Sequence, residues 1–232
     1  MANWFSGRAL AEEAETENAP WSFLGEGAAF WVTVAVLLVV GVAVYLITRK
    51  KSSKKSFWTA KTMAVGAMCM ALSSVLSLIK LWPMPMGGSV TPASMLPMLL
   101  FAYCYGVGPG MVLGALYGVM QFLLDGMAWA ALGAIPNLLD YPIAFGLLGL
   151  AGCFRGSKAK MTAGFVLGCF GRFMASFLSG FIFYGQYAPE GVNPVWYSLT
   201  YNGSYMLVEC IICIALGLLV GERLAKELKK VA

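Results

Sequence analysis

The sequence predicts an all-α integral membrane protein, and three observations carry that reading. Of 232 residues, 59% are hydrophobic and only 12% charged, against about 25% charged in ordinary soluble domains. Mean hydropathy is correspondingly high, +0.75. The apolar runs are continuous and about twenty residues long, the length that spans a bilayer as a helix. A transmembrane barrel would instead show alternating segments of about ten residues. The net charge of +5 gathers at helix ends, where it sets topology. The expected surrounding is therefore the lipid bilayer of the cell membrane, and nucleic acid is not a partner.

Taken in order, residues 1–22 are polar and carry Glu12, Glu13, Glu15 and Glu17. The basic n-region and short apolar core of a cleavable signal are missing there. Ala28 to Ile47 is apolar throughout and long enough to cross. Arg49, Lys50, Lys51, Lys54 and Lys55 follow directly, and such a basic cluster stays in the cytoplasm. The acidic N-terminus is then outside and the basic C-terminus cytoplasmic. Residues 1–57 are thus read as tail, extra transmembrane helix and basic linker, and residues 58–232 as a separate membrane domain.

That domain opens with a span from Trp58 to Leu81 bearing Ala60, Ala64, Ala67 and Ala71, small residues that permit close helix approach in lipid. The prolines and glycines between Pro83 and Pro92 cannot continue a helix and predict a loop on the outside. Further spans are expected at 94–107, 110–124, 135–153, 162–184 and 203–222, giving seven helices in all. Arg155, Lys158 and Lys160, and then Arg223, Lys226, Lys229 and Lys230, fall on the cytoplasmic side. The loop 185–196 lies outside, and no internal repeat argues for an inverted-repeat transporter.

Function is suggested first by Leu139-Asp140-Tyr141-Pro142-Ile143-Ala144-Phe145-Gly146. An ionisable group at membrane depth costs several kcal/mol, roughly 2.5–3.5 on insertion scales, unless a partner or cavity compensates. A carboxylate beside aromatic rings suits a flat organic cation. Two further segments belong near the same depth: Phe183-Tyr184, and Trp196-Tyr197-Ser198-Leu199-Thr200-Tyr201-Asn202. Arg172, Ser176, Gly180 and Tyr184 recur every four residues and share one helix side. The competing explanation of the aromatics is an interfacial belt, which has no need of Asp140. Arg172 and Glu209 are expected to pair across the bundle, the alternative being that Arg172 senses a partner or an anionic lipid, and Asp125 is expected to be a solvated helix-end residue.

Composition also excludes chemistry. There is no histidine, and no GxSxG, HExxH or Walker A motif appears. The chain has no set of its own for hydrolysing ATP, so active transport would draw on a partner or an ion gradient. Cys69, Cys104, Cys153, Cys169, Cys210 and Cys213 sit in or beside apolar segments as small core hydrophobes. The CxxC spacing of Cys210 and Cys213 lacks further ligands and carries no metal site. No cofactor is implied.

The segment from about Thr59 to Leu224 resembles the ThiT (YuaJ-type) family, the thiamine-binding S-components of energy-coupling factor (ECF) transporters. The resemblance rests on an ordered set. It runs through Gly87-Gly88-Ser89-Val90-Thr91, Gly114-Ala115-Leu116-Tyr117-Gly118 with Gln121-Phe122, and the Asp140 segment. It continues through Ser179-Gly180, Tyr187-Ala188-Pro189-Glu190-Gly191 and Tyr197 to Ser204. It implies a six-helix S-component-like bundle, here with one extra N-terminal transmembrane helix. It also implies thiamine as ligand, held near the outer face, and a transmembrane coupling protein with two ATPase subunits as partners.

Carried over by position, the binding residues are Asp140, Tyr141, Gly180, Tyr197 and Asn202. Ser176 stands where the family has a pocket His, Tyr184 where it has a Trp, and Ser89 where it has a lid Trp. Trp82 is a second candidate for the lid aromatic. Ala67 and Ala71 match the motif that contacts the coupling protein. The resemblance implies no enzyme. A carrier of a related pyrimidine or thiazole precursor and a membrane-embedded enzyme are the rival readings.

Overall fold

A computed structural model describes residues 59–84, 87–127, 133–189 and 191–231. The acidic tail, the span Ala28 to Ile47, the basic run after it and the division at residue 57 lie outside the described residues. Within them, helices dominate. Five are long and apolar enough to cross a membrane, and a sixth apolar helix is shorter.

Helix α1 is Ala60–Leu78, started by Thr59, whose side chain accepts the Thr62 N–H. The segment expected as a plain loop instead holds a small antiparallel pair, β1 (Trp82–Pro83) and β2 (Ser89–Val90), with Trp82 opposite Val90. Two-residue strands tolerate Pro83 because a hairpin edge leaves it no ladder bond to make. Helix α2, Leu96–Tyr105, has every residue buried. It spans only about 15 Å, shorter than the stretch 94–107 suggested, because Gly106 at φ +107° turns the chain directly into α3, Val107–Leu124.

Helix α4, Ala134–Cys153, is irregular. Its turn Leu139–Ile143 is π-helical. Pro142 brings no N–H to the ladder and so favours a widened turn. Glycines of α3 let this turn come close: a Cβ on Gly118 would run into the Tyr141 carbonyl, and one on Gly114 into that of Phe145. Helix α5, Lys158–Phe183, is capped by Ser157, which accepts the Lys160 N–H. Helix α6 runs over Pro194–Lys230, longer at both ends than the expected span 203–222. Asn193 caps it with Pro194 in the first turn, and a widened turn at Gly217–Gly221 precedes its polar end.

The six helices alternate in direction. At one end Tyr105 donates to the Leu228 carbonyl at 2.6 Å, Arg155 donates to the Cys104 carbonyl and Lys158 pairs with Glu222 at 3.8 Å. At the other, Lys80 meets Asp125 at 2.8 Å. The core between them is built on Phe101, Tyr117, Phe165, Leu99, Leu148 and Met161, all fully buried. Leu72, Leu123, Phe170, Leu207, Ile211 and Leu219 are exposed, as befits a bundle whose outer surface meets hydrocarbon.

Candidate functional site

One polar cavity opens at the end of the bundle that carries Lys80 and Asp125, away from the basic residues of the opposite end. Its volume of about 140 Å³ is roughly ten times what one water needs, which leaves room for a small organic molecule. Helix α5 lines it with Arg172, Ser176, Gly180 and Tyr184. These are the four residues whose spacing placed them on one helix side. The π-helical turn of α4 contributes Asp140 and Tyr141, and β2 contributes Ser89. Tyr197 and Asn202 come from α6.

All eight residues assigned from sequence to ligand contact therefore lie around the same space. Ala67 and Ala71 do not; they sit exposed on the outer face of α1, with Ala60 and Ala64 beside them. Trp82 is 58% exposed and is not among the cavity's lining residues.

Asp140 faces the bundle interior, and its carboxylate accepts from Ser179 Oγ at 2.7 Å. No Lys or Arg stands within ion-pair distance of it among the described residues. Asn202 is more engaged than its residue type suggests. Its Nδ2 donates to the Ser198 carbonyl at 3.1 Å, and its Oδ1 accepts from the Tyr205 hydroxyl at 3.1 Å. Gly180 is where α5 and α6 touch: a Cβ there would run into Ser198 Oγ and lie 2.9 Å from Asn202 Nδ2. Glycine at this position thus lets the aromatic face of α6 approach the acid.

That face is a ladder of tyrosines. The rings of Tyr197 and Tyr201 stack at 6.1 Å, and Tyr205 meets Tyr201 edge-on at 5.9 Å. Across the cavity Tyr141 packs edge-on against Phe122 at 5.5 Å. The hairpin covers part of the opening, where the Gly88 N–H donates to the Tyr201 hydroxyl at 3.1 Å. A side chain at Gly88 would push this lid away, because its Cβ would lie 2.8 Å from that oxygen.

Deeper in, Arg172 and Glu209 pair at 3.9 Å, as their placement on two late helices led us to expect. Both line the cavity. Glu209 accepts from Thr91 Oγ1 and from Ser94 Oγ at 2.9 Å, while the Arg172 guanidinium lies 4.1 Å above the Phe145 ring. Asp125 is not a freely solvated helix end. Lys80 holds both its oxygens, at 2.8 and 3.0 Å, at the rim of the cavity.

Tyr201, part of the segment expected near the site, lines the cavity, and so do Thr91, Ser94, Ser77, Gln121 and Tyr205, which sequence reasoning did not assign to it. For Tyr205 the signal was available, since Tyr197, Tyr201, Tyr205 and Glu209 recur every four residues. The described residues hold no cluster of metal ligands and no disulfide.

A bundle of mostly membrane-length helices with a polar cavity at its end defines a membrane-embedded protein built to hold a small solute. The chain belongs to the family described as "Thiamine transporter protein (Thia_YuaJ)", whose profile matches residues 63–228. Among curated relatives, the thiamine transporter ThiT of Bacillus subtilis is 38% identical, over 56% of this chain and 73% of its own length. That of Lacticaseibacillus paracasei is 31% identical, over 66% of this chain and 81% of its own.

The solved structure of ThiT from Listeria monocytogenes superposes with a TM-score of 0.63. It covers 72% of this chain and 96% of that one at 21% identity, a likeness of fold. A second profile, the N-terminal 7TM region of histidine kinase, matches residues 5–107, which is under half of the chain and stops short of the segment that bears Asp140.

Proposed function

We propose that the chain binds thiamine in the cavity at the end of the bundle and is the substrate-binding subunit of an ECF-type transporter for thiamine uptake. Family membership supports the ligand. The observation that carries the assignment to this cavity is Asp140. Its carboxylate faces the space and accepts from the Ser179 hydroxyl, with tyrosines opposite it on α6. A thiazolium supplies the positive charge such an acid lacks, and aromatic faces add about 0.5–2 kcal/mol each for a desolvated cation. Tyr141, Tyr184 and Tyr197 surround the rings. Ser176 and Ser89 offer hydroxyls, and Gly180 and Asn202 set the spacing between α5 and α6.

Orientation follows from charge. Arg155, Lys158, Lys160, Arg223, Lys226, Lys229 and Lys230 belong to the end opposite the cavity. By the bias of cytoplasmic loops toward Lys and Arg, the cavity then opens outside. The chain has no nucleotide-binding motif of its own, so energy reaches it through a coupling protein and two ATPase subunits. Ala67 and Ala71, on the exposed small-residue face of α1, support a helix-on-helix contact there.

The test is a fluorescence titration of the purified chain with thiamine, followed by competition with the separate pyrimidine and thiazole fragments. Saturable binding of one thiamine per chain, with both fragments far weaker, is expected. Fragment binding as tight as that of thiamine would assign the cavity to a precursor instead.

A further inference from the structure

Asp140 offers the cavity an acid for a cation, and deeper in stands a donor with nothing to donate to. Arg172 Nε and Nη1 are buried and have no hydrogen-bond partner among the described residues. The contact with Glu209, at 3.9 Å, balances charge but is too long for a hydrogen bond. Leaving a buried donor unpaired is costly, the more so on a charged group. The guanidinium cannot shed its proton to relieve this. It also has little room to turn away, being stacked over Phe145 at 4.1 Å.

Charge selects what this donor can take. Glu209 is 1% exposed and fixed by the hydroxyls of Thr91 and Ser94, so the Arg172–Glu209 pair is neutral as a unit. A phosphate or carboxylate brought to Arg172 would also face Glu209, with Asp140 further up the same cavity. A neutral acceptor meets no such repulsion. Position agrees with this. Arg172 lies seven residues below Ser179, the partner of Asp140, which is about 10 Å along the helix axis. That separation matches a ligand with a cation at one end and a hydrogen-bond acceptor at the other.

We infer that Arg172 is a ligand-contacting residue that donates a hydrogen bond to a neutral acceptor at the deep end of the ligand, with Glu209 positioning its guanidinium. The assignment rests on the thiamine reading, in which the acceptor is a pyrimidine ring nitrogen or the hydroxyethyl oxygen.

The test measures affinity for thiamine, for analogues with each pyrimidine nitrogen replaced in turn by CH, and for the analogue lacking the hydroxyl. Wild type is compared with the double variant Arg172→Met, Glu209→Gln, in which Gln can still accept from Thr91 and Ser94. One analogue should lose at least tenfold on wild type and less than twofold on the variant, and that analogue identifies the acceptor. Equal losses on both proteins would overturn the role of Arg172 alone. A wild-type chain that binds none of the set would overturn the thiamine reading and this assignment with it.

A measurement on unaltered protein stands beside the first. The Nε–H nitrogen resonance of Arg172 should shift on adding thiamine and stay in place with the discriminating analogue. A resonance unmoved by thiamine would contradict the contact. Tighter binding of thiamine phosphate than of thiamine, lost in the variant, would show an anion site instead.

Discussion

Replacing Asp140 by Asn removes one negative charge from the cavity and changes its shape little. Asn keeps an oxygen that can accept from Ser179 Oγ, which lies 2.7 Å from the carboxylate, so the local fold should hold. The electrostatic loss can be sized. Opposite charges about 5 Å apart at an effective dielectric of about 20 attract by roughly 3.3 kcal/mol, or roughly 250-fold in affinity. The cavity is open at its mouth, and Arg172 shares the field, so the measured effect should fall below that ceiling.

An increase in the Kd for thiamine of at least about tenfold, 1.4 kcal/mol, is expected from calorimetric titration in detergent. A thiamine analogue with a neutral ring in place of thiazolium provides the control, since its affinity should differ little between wild type and D140N. An unchanged Kd for thiamine in the variant, or an equal loss for the neutral analogue, would refute the charge argument.

Three other perturbations probe different parts of the account. Ala67→Trp should leave thiamine binding intact yet abolish uptake in cells, because a large ring on the exposed face of α1 blocks helix contact there; normal uptake would contradict the docking assignment. Gly180→Val should weaken thiamine binding by at least about tenfold, since its side chain must displace Ser198 and Asn202; an unaltered Kd would show that the approach of α5 to α6 does not shape the cavity. Glu209→Ala leaves a buried cation unpaired and takes the acceptor from Thr91 and Ser94. A destabilisation of about 3–5 kcal/mol, read as a fall in Tm, is expected, and an unchanged Tm would show the pair to be structurally idle.

Much of this architecture is legible in the sequence because bilayer helices obey simple rules. The spans of α3, α4 and α5 follow from apolar length, and the side of α5 that faces the cavity follows from the recurrence of Arg172, Ser176, Gly180 and Tyr184. Asp140 stands out because a carboxylate there needs a reason. Other features depend on contacts between residues far apart in sequence, which carry no period. Glu209 finds Thr91 and Ser94 across more than a hundred residues, and nothing local announces it.

Helix ends were obscured for a different reason. Hydropathy stops α6 near residue 222, whereas its polar last turns continue as helix beyond the apolar stretch. Its start was readable from Asn193 and Pro194, a cap followed by a first-turn proline, but that signal sits inside a stretch of loop composition. The widened turn at Leu139–Ile143, which aims Asp140 into the cavity, arises from Pro142 acting together with the close approach of α3. Only the first of these is visible in a linear reading.

The position of the ligand's charged ring decides the role of Asp140, and a crystal structure of the chain with thiamine bound measures it directly. The thiazolium should lie within about 6 Å of the Asp140 carboxylate, between α4 and the tyrosines of α6, beneath the hairpin. Thiamine found elsewhere on the protein, or lying in the cavity with its thiazolium turned away from Asp140, would contradict it.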